Sequence, residues 1–356
     1  MSEILEKFDS SKDVYDSYAM SLKSLLNNLI REAGHTIHSL DSRVKNRVSL
    51  GEKILRKGKY ECIEDITDIV GVRIISHYSD DVDEIAKIIE SDFLVDKENS
   101  IDKRASMEPD RFGYLSLHYV VNLSETRTQL KEYAPFKSIK AEIQIRSILQ
   151  HTWAEIEHDI GYKSANGLPN DIKRYFSRLA GLLEIADDEF IKIRQSISAR
   201  QKEVASMLEN GAGENTLDLV SLNEYLNKSK TIEALVKDFY TQYGLKIGNA
   251  TKNLENIFDG LTLLNINTIN TLDHKMLENK VAILNRVKAF SSDYITNFKG
   301  ADLPRDLIVA FLMQILVAKE NSPELEHKFH ETVRLTLRKK DIPDFFERIR
   351  NIISEG

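Results

Sequence analysis

Four stretches rich in Val, Ile and Tyr crowd into residues 71–147, and nothing after residue 147 reads like them. They are GVRIISHY (71–78), FLVDKEN (93–99), YLSLHYVVNL (114–123) and KAEIQIRS (140–147). Such runs predict strands. Residues 80–91, between the first two, carry Val82, Ile85, Ile88 and Ile89 at helical spacing. The middle of the chain is therefore expected to be α+β, a mixed β-sheet with helices on it. Before it, residues 12–32 read as a helix through Tyr15, Tyr18, Leu22, Leu25, Leu26 and Leu29, and residues 49–58 as a short basic helix ending at Gly58. After it, residues 147–161 and 171–208 read as helices, and the remainder as an all-helical C-terminal domain. Ile232, Leu235, Val236, Phe239, Tyr240 and Tyr243 form one of its apolar stripes. Gly and Asn cluster at 208–216, which predicts a linker between domains at 1–210 and 215–356.

Composition excludes several classes. The 356 residues are 42% hydrophobic and 29% charged, enough apolar matter for a real core and unlike a disordered chain. The net charge of −7 argues against a surface that attracts nucleic acid throughout, so a polyanion site must be a local basic patch. One cysteine, Cys62, excludes an intrachain disulfide and a cysteine-based zinc site, and its composition predicts a small core residue. The longest apolar stretch, Leu307 to Ala318, is short of the ~20 residues that span a bilayer and predicts a buried helix. No charged-then-apolar leader opens the sequence. A cytoplasmic protein, with no membrane partner, is expected.

Strand alternation sorts the candidate site residues. In 140–147, Glu142, Gln144 and Arg146 share one face, and Ala141, Ile143 and Ile145 the other. Tyr114, Ser116 and His118 share a face of the preceding strand. Asp68 precedes the strand that holds Arg73, and Gly71 leaves room for close approach. If these strands are neighbours, Asp68 and Glu142 converge as a carboxylate pair suited to Mg²⁺, which takes one or two protein carboxylates and completes its shell with phosphate and water. Two solvated strand-end acids, each paired with an arginine, are the other reading.

Between residues 43 and 59 lie Arg43, Lys45, Arg47, Lys53, Arg56, Lys57 and Lys59 against the single acid Glu52. This local reversal of sign suits phosphate, through arginine forks and lysine point charges. A solvated helix face and a nucleic-acid patch are the alternatives. Neither a P-loop nor a dinucleotide-binding glycine motif is present. His158–Asp159 lacks the further ligands of a metal dyad, His35 and His38 alone make no metal site, and Trp153 suits a core anchor.

The order DIVGVR (68–73), GYLSLHY (113–119), EIQIR (142–146) and WAEIEHDIGYK (153–163) closely resembles the synthetase domain of the RelA/SpoT alarmone synthetases. Upstream, Arg43, Lys45, Ser49, Lys53 and Arg56 in R-x-K-x-x-x-S-x-x-x-K-x-x-R resemble the family's ATP-binding segment. The resemblance covers about residues 35–185. It implies a nucleotidyltransferase-like mixed sheet and Mg²⁺-dependent transfer of pyrophosphate from ATP to a ribose 3′-hydroxyl, commonly that of GDP or GTP, with release of AMP. It also implies roles by position. Arg43, Lys45, Ser49, Lys53, Arg56 and Arg73 would hold ATP. Asp68 and Glu142 would hold the metal, and Glu142 would draw the acceptor's proton. Tyr114 would stack on the acceptor base, with His118, Gln144 and Arg146 lining that side. Many members carry Lys and Asn where this chain has Asp110 and Phe112, although Arg104 and Arg111 are close in sequence. The acceptor thus stays open between guanosine nucleotides and, in a toxin-like relative, an adenosine nucleotide or a tRNA end, the C-terminal domain then being an antitoxin or sensor. A non-catalytic regulator is disfavoured by the presence of both carboxylates. The apolar stripes of the extension must be buried, against the synthetase domain or in a homo-oligomer.

Overall fold

The computed structural model describes residues 2–102, 116–162, 169–210, 216–249, 251–297, 302–335 and 337–354. The chain opens with α1 (Ser2–Ser10) and α2 (Lys12–Glu32). Tyr15, Tyr18, Leu22, Leu25 and Leu26 are buried along α2, at the spacing that puts them on one face. Then come β1 (Ile37–Val44), α3 (Arg47–Lys57), β2 (Val70–Ser76), α4 (Asp81–Asp92), β3 (Phe93–Val95) and β4 (Ile101–Asp102). β5 (Leu117–Leu123), the short α5 (Glu125–Thr128) and β6 (Ala141–Ser147) complete the sheet.

The strand order is β1-β2-β6-β5-β3, with β4 also paired to β5. β2 and β6 run parallel, and the other pairs are antiparallel. The fold is therefore α+β with a mixed sheet flanked by helices. Val70, Val72 and Ile74 of β2 and Ala141, Ile143 and Ile145 of β6 are buried. α2 packs on β1 and β2, and α4 on β6. The alternate residues, Gly71 and Arg73 on β2 and Glu142, Gln144 and Arg146 on β6, are only half-buried on the opposite face.

β1 escapes the apolar pattern that marks the other long strands. Among the described residues it is an edge strand bonded to β2 alone, and in IHSLDSRV only Leu40 is buried. Cys62 also departs from expectation: it is exposed. Its backbone N–H donates to the Asp65 carboxylate at the start of the short turn Ile63–Asp65, a capping position that belongs to the surface.

Beyond the sheet lie α6 (Ile148–Tyr162) and α7 (Asn170–Asn210). Two compact units, Met1–Arg194 and Gln195–Gly356, divide the chain inside α7. The second unit is helical: α8 (Leu219–Lys228), α9 (Lys230–Tyr243), α10 (Leu254–Leu263), α11 (Ile269–Glu278), α12 (Lys280–Asn297), α13 (Asp306–Glu320), α14 (Pro323–Thr332) and α15 (Ile342–Ser354). α13 is buried nearly all round, through Ile308, Phe311, Leu312, Ile315 and Val317 among others, as a helix at the centre of a bundle must be. α10, α12, α14 and α15 pack against it. Ile232, Leu235 and Phe239 of α9 join this core, whereas Tyr240 from the same stripe is exposed. Among the described residues no helix is long and apolar enough to cross a membrane.

Candidate active site

Register decides which polar side chains meet. Gly71 on β2 is level with Glu142 on β6 and with Arg43 on β1. Arg73 is level with Gln144 and with Asp41. On the far side of β6, His118 of β5 is level with Gln144. These residues share the sheet face opposite α2 and α4. Asp41, Ser42, Arg43, Asp68, Gly71, Val72, Arg73, Glu142 and Gln144 line a cleft there of about 120 Å³. Ligand pockets for whole small molecules run to ~300 Å³ and more, so this half-open cleft is of a size for phosphate groups and a cation.

Asp68 comes two residues before β2, at the edge of the cleft. Lys45 Nζ lies 2.9 Å from its Oδ2, and Lys53 Nζ lies 2.8 Å from its Oδ1. Local structure brings the two lysines there. Lys45 follows β1 and its backbone N–H donates to the Ile69 carbonyl at 2.8 Å. Lys53 projects from α3, whose first turn is capped by Asn46: its Oδ1 accepts the Ser49 backbone N–H. α3 ends at Gly58 in the left-handed conformation that glycine adopts without strain. Burial pushes the Asp68 carboxyl up, but Lys53 and Lys45 more than reverse this and hold it below the ordinary carboxylate range.

Glu142 is half-buried. Its Oε1 is 2.7 Å from His118 Nδ1, and the His118 Nε2 is 2.5 Å from Ser116 Oγ. Burial again raises the carboxyl and nearby Asp68 adds to that, while the His118 contact prevails and holds it low. Both carboxylates are thus ionised at neutral pH, by different partners.

Arg73 reaches across to α6, where its Nη1 bonds Glu155 Oε1 at 2.9 Å. Arg146 is half-buried behind it, and its Nε has no hydrogen-bond partner. Burial and the neighbouring Arg73 lower the guanidinium from its usual value. The same two causes, in the same order, lower the His151 imidazole. Arg43 and Arg56 are exposed, and among the described residues neither is ion-paired with an acid.

The structure therefore gathers Arg43, Lys45, Lys53, Asp68, Arg73, Glu142 and Gln144 at or beside one cleft, with His118 one bond away. Ser49 is engaged through its backbone in the α3 cap, and Arg56 lies on the exposed end of α3. Tyr114 is outside the described residues, as are Arg104, Asp110, Arg111 and Phe112. Sequence reasoning missed Asp41, Ser42 and Glu155. The first two lie on the strand whose pattern hid it, and Glu155 lay in a helical motif read as a whole. No group of three His, Cys, Asp or Glu residues that could hold a metal ion occurs among the described residues. Two carboxylates on one small cleft still fit Mg²⁺, because its remaining ligands are substrate phosphates and water.

The sequence model of the family described as "Region found in RelA / SpoT proteins" matches residues 42–167. The chain is 33% identical over 177 residues to GTP pyrophosphokinase YwaC of Bacillus subtilis, covering 48% of this chain and 79% of that protein. It is 32% identical over 169 residues to GTP pyrophosphokinase YjbM of the same organism, covering 46% and 75%. The crystal structure of small alarmone synthetase 1 from B. subtilis aligns with a TM-score of 0.46 at 28% identity, over 55% of this chain and 99% of that one. With most of a curated relative's length matched at that identity, and with the matched region holding the cleft, the chain belongs to the RelA/SpoT family.

Proposed function

We propose that the N-terminal unit transfers pyrophosphate from ATP to the ribose 3′-hydroxyl of GDP or GTP, giving (p)ppGpp and AMP. The observation that carries this reading is the meeting of Asp68, held by two lysines, and Glu142, held by a histidine, on one phosphate-sized cleft. Two relatives named GTP pyrophosphokinase support it.

In this reaction the acceptor oxygen forms a bond to the β-phosphorus of ATP. The bond from that phosphorus to the oxygen bridging to the α-phosphate breaks, and its electron pair leaves with AMP. The proton of the 3′-hydroxyl goes to Glu142, which burial and His118 present as a fixed carboxylate. Lys45 and Lys53 face incoming phosphates and offset their charge, with Arg43 and Arg56 at the open side. Arg73, anchored on Glu155, steadies the phosphates. Asp68 and Glu142 would hold Mg²⁺, which supplies a Lewis acid for the charge on the phosphoryl oxygens. Gln144 and Arg146 line the acceptor side. Chemistry of this type asks the protein mainly for position and compensating charge, which the cleft provides.

The test is to incubate the protein and ATP separately with GDP, GTP, AMP and deacylated tRNA and to identify each product by mass. A nucleotide heavier by one pyrophosphate with GDP or GTP is expected. Product only with AMP or tRNA would replace the acceptor, and no product with any would overturn the activity.

A further inference from the structure

Ser116, just before β5, His118 on β5 and Glu142 on β6 form a continuous hydrogen-bonded chain. Ser116 and His118 are two apart, so their side chains point the same way. His118 is level with Gln144, which makes Glu142 its diagonal neighbour on the next strand, within reach of a long side chain. The contacts are short at both ring nitrogens: 2.7 Å from Nδ1 to Glu142 Oε1 and 2.5 Å from Nε2 to Ser116 Oγ. Ser116 is buried, with 5% of its surface exposed.

The direction of the chain follows from what each group can donate. An ionised carboxylate only accepts, so Nδ1 must carry the proton. In the neutral ring Nε2 is then the acceptor, and Ser116 Oγ–H donates to it. Both ring nitrogens are spent within the protein. A ring so engaged has no donor or acceptor left for a nucleotide, but it gives the Glu142 carboxylate one orientation.

We propose that His118 is a positioning residue for Glu142, with its tautomer set by Ser116, and acts on the acceptor through that carboxylate rather than by touching it. This rests on the reading of Glu142 as the group that takes the acceptor's proton. Loss of the ring lets the carboxylate turn, and misplacing a reacting group by about an ångström costs on the order of 10²-fold in rate.

Two measurements test it. In long-range ¹H–¹⁵N spectra of the histidine-labelled full chain at neutral pH, His118 should carry its proton on Nδ1 and lose that signature in Glu142→Ala. An Nδ1 without a proton overturns the proposal, whatever the kinetics. In assays with ATP and GDP, His118→Ala should lower kcat by about 10–100-fold with the GDP KM changed less than about twofold. His118→Asn, whose amide N–H can replace the Nδ1 donor, should recover most of the loss. Ser116→Ala should cost several-fold in kcat, and His118→Ala should add little to Glu142→Gln. If His118→Ala fails to melt cooperatively, the Asn and Ser116 variants decide. A GDP KM raised about tenfold with kcat preserved would make the ring a nucleotide contact and overturn the proposal. Full turnover in Glu142→Gln beside an intact Nδ1–H signature would instead remove the role of Glu142, and the proposal would fall with it.

Discussion

Asp68 and Glu142 are kept ionised by different partners, two ammonium groups for the first and the His118 imidazole for the second. That difference predicts different costs when each is neutralised. Asp68→Asn leaves Lys45 and Lys53 without their counter-charge, so it should disturb ATP binding as well as turnover. Glu142→Gln keeps the shape of the side chain but removes the base and one carboxylate for the metal, so at saturating Mg²⁺ its loss should fall chiefly on kcat. Either should reduce turnover by at least ~10², the scale of losing a charge contact in the transition state. Steady-state kinetics with ATP varied at saturating Mg²⁺ checks this, and near-normal turnover in either variant contradicts the assignment. At this scale the sequence was legible in the strands. Glu142, Gln144 and Arg146 could be placed on one face by alternation, and the register of β2 and β6 brings them beside Gly71 and Arg73. What alternation could not give was pairing across strands. Nothing in the spacing of residues 118 and 142 says that they bond, nor that Arg73 meets Glu155 on a helix.

Among the elements, β1 was the least visible, because an edge strand with one buried residue has no apolar signature. It nevertheless carries Asp41, Ser42 and Arg43 into the cleft. The opposite edge of the sheet depends on a tighter device. Asp96 follows β3, and its carboxylate accepts from Lys140 at 2.8 Å and from the side chain and backbone of Asn99, tying the turn before β4 to the start of β6. Lys140 chiefly, and Asn99 after the opposing effect of burial, hold this carboxyl below its usual range. A carboxyl lowered on folding adds stability that is complete above its unfolded value of ~3.9 and fades as pH falls through the folded value. Asp96→Asn should therefore unfold at lower urea than the wild type at pH 7, with the gap closing below about pH 4. Urea midpoints at pH 7, 5, 3 and 2 check this, and a gap independent of pH contradicts it.

Over the whole molecule, two apolar cores occupy the two units, one around the sheet and one around α13. The apolar run at 307–318 announced the second core from sequence, since a helix apolar on every side must be enclosed. The division of the units was less legible, because it falls within α7, whose pattern continues across it. Separate cores predict separable losses. Ile143→Ala should destabilise the first unit and Leu312→Ala the second, each by about 2–5 kcal/mol, the cost of a cavity in a packed core. Calorimetry should show two transitions, with each variant lowering only its own. A single transition that both variants lower together contradicts the separation.

The central claim is that the cleft moves a pyrophosphate group as one piece, and the fate of labelled phosphorus in ATP reads this directly. With GDP as acceptor, label in the β position of ATP should appear on the guanosine product, and label in the α position should appear only in AMP. Transfer of α-label to the guanosine product would make the chain a nucleotidyltransferase, transfer of γ-label alone with formation of ADP would make it an ordinary kinase, and either result would contradict the account.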